Sequence, residues 1–555
     1  MQPILARRVV ESDLGTRTNL EIVGRGTWLD MVALRVLQRE DELERKTDVL
    51  RTESGLGASG IPHIGSLGDV IRAYGVKLAL DTQERKAEFI AYSDDLDGLR
   101  KVPSGMPDSL KKYLGHPVSA IPDPYNCHES YGLHMNSLLR EAMDTCGVEY
   151  VFHSATEDYR KGIFTTQIRK ILLEADRVGK IVKEEVGQEK YTTILPYFPI
   201  CGSCGRIYTT RSLEFDPKTD KVTYACEGGA EIKGQTIQGC GYKGELDFKE
   251  GRGKVPWKAE FAVRWDALKI TFEAHGKELT DSVRVNDRVC LEILGSPPPY
   301  HVRYELFLDK GGKKISKSKS AVDVITPQTW FKYATPPSLN LLMFKRITGA
   351  RNVGVEDIPT YANELDYLEQ VYFNIKKPTD EKELAKLRGL YEYSWFLKPP
   401  CSPGTHIPYN LLVYLVTVAP PDKRIEYVES KLREYGYLKT QPSPDFQQRL
   451  EFAINWAKDF TEIPETRIAI TGPQKLAVED LISVVKSETD ERIIQNSIFN
   501  IAKKYSIDPP EFFRLLYTIL LGSSKGPRLG PYIKAMGSEN VASALQRAIE
   551  NSSLT

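Results

Sequence analysis

Apolar positions along the first ninety residues change period several times. From about residue 18 to 48 they recur at helical spacing, with Trp28, Met31, Val32, Leu34, Val36 and Leu37 forming one side of a charged amphipathic helix. Asp48-Val-Leu-Arg-Thr then reads as a short buried strand, and residues 55–65 form a Gly-rich turn. A helical pattern runs from Leu67 to Leu80, and Ala87-Glu-Phe-Ile-Ala-Tyr is a second strand that ends in an acidic cluster. Strand, glycine turn, helix, strand opens a parallel doubly wound sheet. Such sheets bind ligands outside the carboxyl ends of their strands, which directs attention to residues 55–69 and 93–97.

This rhythm breaks between Cys201 and Phe248, a Gly-rich segment with paired cysteines. Sheet-like patterns resume at Trp257–Ile270 and at His301–Leu308, and a Lys/Ser-rich loop, Lys313 to Ser320, follows the second. Beyond about Leu339 helical spacing dominates. Phe446, Leu450, Ala453, Ile454 and Ala457 share one face, as do Ile494, Ile498, Ile501, Ala502 and Tyr505. Pro399-Pro400 and Gln441-Pro-Ser-Pro read as connections between helical units. The expected fold is α/β: a Rossmann-type parallel-sheet catalytic domain with an insertion, followed by an all-α region. The expected boundaries are a helical segment at 1–48, the first half of the catalytic domain at 49–200, the insertion at 201–248, the second half at 249–338, and helices at 339–555.

A chain of 555 residues is too long for one hydrophobic core. With 41% hydrophobic and 27% charged residues the composition is that of an ordinary globular protein. No apolar stretch reaches the roughly 20 residues of a membrane helix, and Met1 to Asp13 lack a signal-peptide core, so a cytoplasmic protein with no membrane partner is expected. Lys plus Arg and Asp plus Glu number 75 each, a balance that still leaves room for a basic face that binds nucleic acid. In a reducing compartment, Cys201-x2-Cys204-x21-Cys226-x13-Cys240 offers four thiolates for a structural zinc with no open position; free thiols are the alternative. Cys127, Cys146, Cys290 and Cys401 read as packing residues.

Two motifs carry candidate nucleotide chemistry. Gly60-Ile-Pro62-His63-Ile-Gly65 puts an imidazole at a helix N-terminus, where unpaired N–H groups and the dipole attract phosphate. Lys314-Ile-Ser316-Lys317-Ser318 is a basic hydroxyl-bearing loop that can stabilise charge on a departing pyrophosphate. Taken alone, the first reads as a structural turn and the second as a solvated basic loop. Together they resemble the two signatures of class I aminoacyl-tRNA synthetases, with Ser66 in place of the second His and Ile315 in place of Met. Glu53-Ser-Gly, Lys101-Val-Pro, Asp123-Pro, Cys127-His-Glu-Ser-Tyr131, Trp257 to Trp265 and Gly526-Pro-Arg-Leu-Gly-Pro531 extend the resemblance to the class I lysyl-tRNA synthetases.

That resemblance implies activation of lysine by ATP with Mg²⁺, transfer to tRNA(Lys), and anticodon-arm binding by the helical region. His63, Lys314, Ser316 and Lys317 are then catalytic, and Gly60, Pro62, His63, Gly65 and Lys317 bind ATP. Gly55, Gly57, Asp69, Asp95 and Trp257 are expected at the amino acid, with Asp94 and Asp97 as further candidates; Asp69 reads equally as a first-turn acid complementing the helix dipole. One departure stands out. Gly276-Lys-Glu-Leu279 and Val285-Asn-Asp-Arg288 replace the family's Gly-Lys-Asp-His and Ser-Tyr-Asp-Thr-Gly. Either His275 or another side chain substitutes for the missing His and Tyr, or the pocket is built differently. A glutamyl- or glutaminyl-type synthetase, a non-catalytic tRNA-binding paralogue and a small nucleotidyltransferase are the competing readings.

Overall fold

Five parallel strands organise the larger part of the chain, whose structure, a computed structural model, describes residues 22–227, 229–232, 235–308, 325–419, 423–439, 442–460, 470–521 and 528–550. They are β1 (Leu50–Leu56), β2 (Ala87–Ser93), β3 (Val151–Ser154), β4 (Phe272–Gly276) and β5 (Tyr300–Tyr304). Their spatial order is β5-β4-β1-β2-β3, and every neighbouring pair is parallel. Chain order runs outward from β1 in both directions, so the β1–β4 seam is the switch point at which doubly wound sheets bind ligands.

The expected opening is present. Helix α1 (Trp28–Glu42) occupies the described part of the 18–48 segment and starts at Thr27, whose N–H and hydroxyl both donate to Asp30. Helix α2 (Ile64–Thr82) connects β1 to β2, and helix α3 (Tyr131–Cys146) precedes β3. Trp257–Ile270 corrects the sheet-like reading: it forms helix α4, Trp257–Leu268. Trp257, Ala259, Phe261, Val263 and Trp265 alternate like a strand, but every residue from Ala259 to Trp265 is buried, so an apolar face does not show in the sequence period. Lys269, at φ 55°, ends the helix, and β4 follows. The cysteine-bearing insertion forms a separate antiparallel sheet of Thr210–Asp216, Lys221–Cys226 and Lys243–Asp247.

The chain divides into two compact units, 1–403 and 404–555. In the second, Pro444–Phe460 buries Phe446, Leu450 and Ala453, and Glu491–Lys504 buries Ile494, Ile498, Ile501 and Ala502, as their spacing predicts. Among the described residues no helix is long and apolar enough to cross a membrane.

Candidate active site

His63 is the N-cap of α2. Its backbone is extended, and its Nδ1 accepts a hydrogen bond from the Ser66 N–H at 3.2 Å, which folds the imidazole over the first turn. Gly65 makes this possible, because a Cβ there would lie 2.8 Å from the His63 ring. The hydroxyl of Tyr131, at the start of α3, donates to the Ser59 carbonyl at 3.1 Å and braces the turn from outside. Gly60 and Pro62 are buried beneath it. Lys314, Ser316 and Lys317 lie outside the described residues. Their flanks do not: Phe307–Leu308 pairs with Arg351–Asn352, and the Ile64 N–H donates to the Ile325 carbonyl at 3.0 Å. The chain therefore re-emerges from 309–324 directly against the His63 turn.

Beside this turn, the carboxyl ends of β1 and β2 meet a buried charge cluster on α4. Arg264, 1% exposed, pairs with Glu53, with Glu273 at 3.1 Å and with Asp94 at 3.4 Å. Lys254, equally buried, pairs with Asp97 at 2.5 Å and Glu260 at 2.7 Å. The four acids expected near lysine differ in what already holds them. Asp95 accepts from Ser154 Oγ at 2.6 Å and from the Thr156 N–H and Oγ1 at 2.8 Å each. Asp97 receives Lys254 and the Trp257 Nε1 at 3.0 Å, which places Trp257 at the cluster. Asp69 accepts from the Tyr304 hydroxyl and lies 3.7 Å from Arg72. It is the sixth residue of α2, so the first-turn reading does not apply. Asp94 differs: its Oδ1 faces Arg264, while its Oδ2 would stand 3.6 Å from a Cβ at Gly55. Burial pushes the Asp94 carboxyl up to about 7, against the pull of Arg264.

The four insertion cysteines converge. Cys201 and Cys240 Sγ are 3.6 Å apart, Cys204 and Cys226 Sγ are 3.7 Å apart, and all four lie within 4.8 Å of one another. A tetrahedral zinc with Zn–S of about 2.3 Å needs sulfurs about 3.8 Å apart, so the residues fit that ion. The Cys240 N–H points to Cys226 Sγ at 3.4 Å. The knuckle is docked on the catalytic unit through Ile207 N–H to Gly115 O at 2.8 Å and through Tyr208, whose ring would meet a Cβ on Gly98 at 2.6 Å. Arg100 lies 5.4 Å from both the Tyr208 and the Trp257 ring and 3.6 Å from Asp97, linking the insertion to the acids.

The family profile "tRNA synthetases class I (K)" matches residues 26–395. The lysine–tRNA ligase of Cenarchaeum symbiosum is 47% identical over 527 residues, covering 95% of this chain and 99% of the relative. The chain belongs to the class I tRNA synthetases of the K family. The lysine–tRNA ligase of Rickettsia bellii (strain OSU 85-389) is 33% identical over 493 residues, 87% of this synthetase and 90% of its own length.

One group in the synthetase escapes the sequence reading. Cys127 is exposed, not a packing residue, and its Sγ lies 3.2 Å from His128 Nδ1, 3.1 Å from His134 Nδ1 and 3.2 Å from Asp123 Oδ2. Burial of Asp123 is outweighed by hydrogen bonds from the Cys127 thiol and the Tyr125, Cys127 and His128 amides, which hold its carboxyl well below the usual range. All four ligand atoms fall within 4.8 Å, a mixed O/S/N set that suits zinc. The available signal was the spacing Asp-x3-Cys-His-x5-His, which runs from the loop before α3 into the first turn of that helix.

Proposed function

We propose that this synthetase is a lysine–tRNA ligase. It activates lysine with ATP to lysyl-adenylate and transfers the lysyl group to the 3′ end of tRNA(Lys). The observation that carries the nucleotide half is the Ile64–Ile325 hydrogen bond: the chain that follows the basic loop in sequence lies against the imidazole turn that would hold the triphosphate. ATP, with its Mg²⁺, lies along Gly60, Pro62, His63 and Gly65, where the α2 N-terminus favours anionic oxygens. The lysine carboxylate attacks the α-phosphate in line, the bond to the bridging oxygen breaks, and pyrophosphate leaves. His63, Lys314, Ser316 and Lys317 stabilise the charge that builds on it. The adenylate then esterifies the terminal ribose 2′-OH, and AMP departs.

Lysine lies across Gly55 and Gly57, with Trp257 as a wall. Asp94, whose Oδ2 faces Gly55, receives an ammonium, while Asp69 and Asp95 hold the surrounding frame through their own partners. Cys201, Cys204, Cys226 and Cys240 hold a structural zinc, and Asp123, Cys127, His128 and His134 hold a second. The helices of 404–555 bind the anticodon arm, where unpaired bases stack on aromatic or Arg side chains. ATP–pyrophosphate exchange with each of the twenty amino acids, with tRNA supplied, tests the reading. Lysine alone should support exchange; a response to glutamate or glutamine in its place would refute it. Lys317→Ala should abolish adenylate formation and leave tRNA binding intact.

A further inference from the structure

The β1–β4 seam contains a buried polar atom that the synthetase itself does not satisfy. His275, the fourth residue of β4, is 8% exposed, and its Nδ1 has no hydrogen-bond partner among the described residues. Its neighbour on β5 behaves differently: His301 uses Nδ1 on the Glu273 carbonyl at 3.2 Å and Nε2 on Asp287 at 3.0 Å. Buried polar atoms are almost always paired, so an orphan at a ligand-binding strand end points to a ligand.

The register shows what lies beside it. Glu53 of β1 stands opposite Glu273 of β4. The pairing ends there; continued two residues along each strand, on the same face, the register brings Gly55 to the level of His275. On the opposite flank Gly55 is paired with Tyr92 of β2, and the space a side chain would take there opens on Asp94 Oδ2 at 3.6 Å, with Nη2 of Arg264, the partner of Asp94, at 4.0 Å. Asp94 and His275 therefore flank one side-chain-free position at the switch point. Their strands lie two spacings apart, about 9–10 Å between backbones. An extended amino acid with an ammonium at each end suits such a row, one ammonium to each flank.

We propose that His275 is a specificity-determining residue whose Nδ1 accepts a hydrogen bond from the side-chain ammonium of lysine while Asp94 holds the α-ammonium. This rests on the lysine reading above. The role needs a neutral ring with its proton on Nε2. Burial, followed by the nearby His301 and Arg303, supports this by pushing the imidazole down to about 3. Leu279, four residues on, packs into the hydrophobic cluster with Trp257, so it offers no polar alternative.

The test uses the full-length enzyme in lysine-dependent ATP–pyrophosphate exchange, with norleucine as the analogue that lacks the ε-ammonium. His275→Phe keeps the ring and removes the acceptor. It should raise the KM for lysine about ten- to a hundredfold and shrink the preference for lysine over norleucine by the same factor, with the KM for ATP and the Tm unchanged. His275→Asn, which presents an oxygen close to the Nδ1 position, should recover much of that preference. An unchanged preference in His275→Phe, or lysine and norleucine weakened equally with a lowered Tm, would overturn the assignment. A wild-type enzyme without lysine-dependent exchange would overturn the lysine reading itself, and the role of His275 with it.

Discussion

Raising the pH from 6 to 8 should ionise Asp94, which burial holds at about 7, and lysine affinity should follow. A protonated Asp94 has no charge to offer an ammonium. With the carboxyl near 7, about a tenth of it is ionised at pH 6 and about nine-tenths at pH 8, so apparent affinity should improve about tenfold, ~1.4 kcal/mol. Near the lower limit, lysine binding should release close to one proton. His275, at about 3, stays neutral throughout this window and adds no slope. Stability shifts in the opposite sense. The folded carboxyl titrates above the ordinary 3.8, so the folded chain binds more protons between about pH 4 and 7, and Asp94 costs stability as pH rises through that range. This cost is at most ~4 kcal/mol. Calorimetric titration with lysine in buffers of different ionisation enthalpy reads both affinity and proton release, and Asp94→Asn should flatten both. A wild-type affinity that is flat between pH 6 and 8, or a slope that persists in Asp94→Asn, would refute the assignment.

Gly65→Ala should push the imidazole off the α2 N-terminus, since its Cβ would lie 2.8 Å from the ring. Exchange should slow by at least ~10-fold while the KM for lysine holds, which steady-state kinetics would show. Lys254→Met strands Asp97 and Glu260 in the interior and should cost ~3–5 kcal/mol in urea unfolding. Adding Glu260→Gln should return part of that loss. Cys204→Ser should lower bound zinc by one equivalent per chain in elemental analysis. Because Tyr208 carries the insertion onto Gly98 and Arg100, the same variant should also raise the KM for lysine and alter Trp257 fluorescence.

The opening of the sheet was legible because each piece signals locally. The period changes between Leu50 and Leu67, and Gly60, Pro62 and Gly65 mark the turn that exposes the α2 N-terminus. The cysteine knuckle was legible for the same reason. Adjacency across the seam was not, because Glu53 and Glu273 are 220 residues apart and no local pattern states that β4 lies beside β1. The choice among acids failed to show for a related reason. Asp69, Asp94, Asp95 and Asp97 look alike in sequence, and what separates them is Tyr304, Arg264, Thr156 and Lys254, all brought from other elements. Cys127 was misread as packing because a lone cysteine carries no partner cysteine, and its His and Asp companions form no single-residue repeat.

The distribution of buried charge argues for the substrate independently of any motif. Glu53, Asp94, Asp97, Glu260 and Glu273 stand against Arg264 and Lys254 in two adjoining groups, with the more exposed Arg100 reaching Asp97 from outside. Three cations cannot neutralise five carboxylates, and burial, with Glu273 and Asp94 adding to it, pushes Glu53 well above the ordinary carboxylate range despite Arg264. A lysine, with net charge +1 and its α-ammonium against Asp94, would relieve part of the excess, whereas a glutamate, with net charge −1, would add to it. Discrimination between these two amino acids then comes from repulsion as much as from attraction. The same imbalance explains why the acids are fixed before the substrate arrives. Arg264 holds three of them to one guanidinium, so a site built on them would lose little conformational freedom on binding, and the interaction would go into orienting the lysine carboxylate toward the α-phosphate.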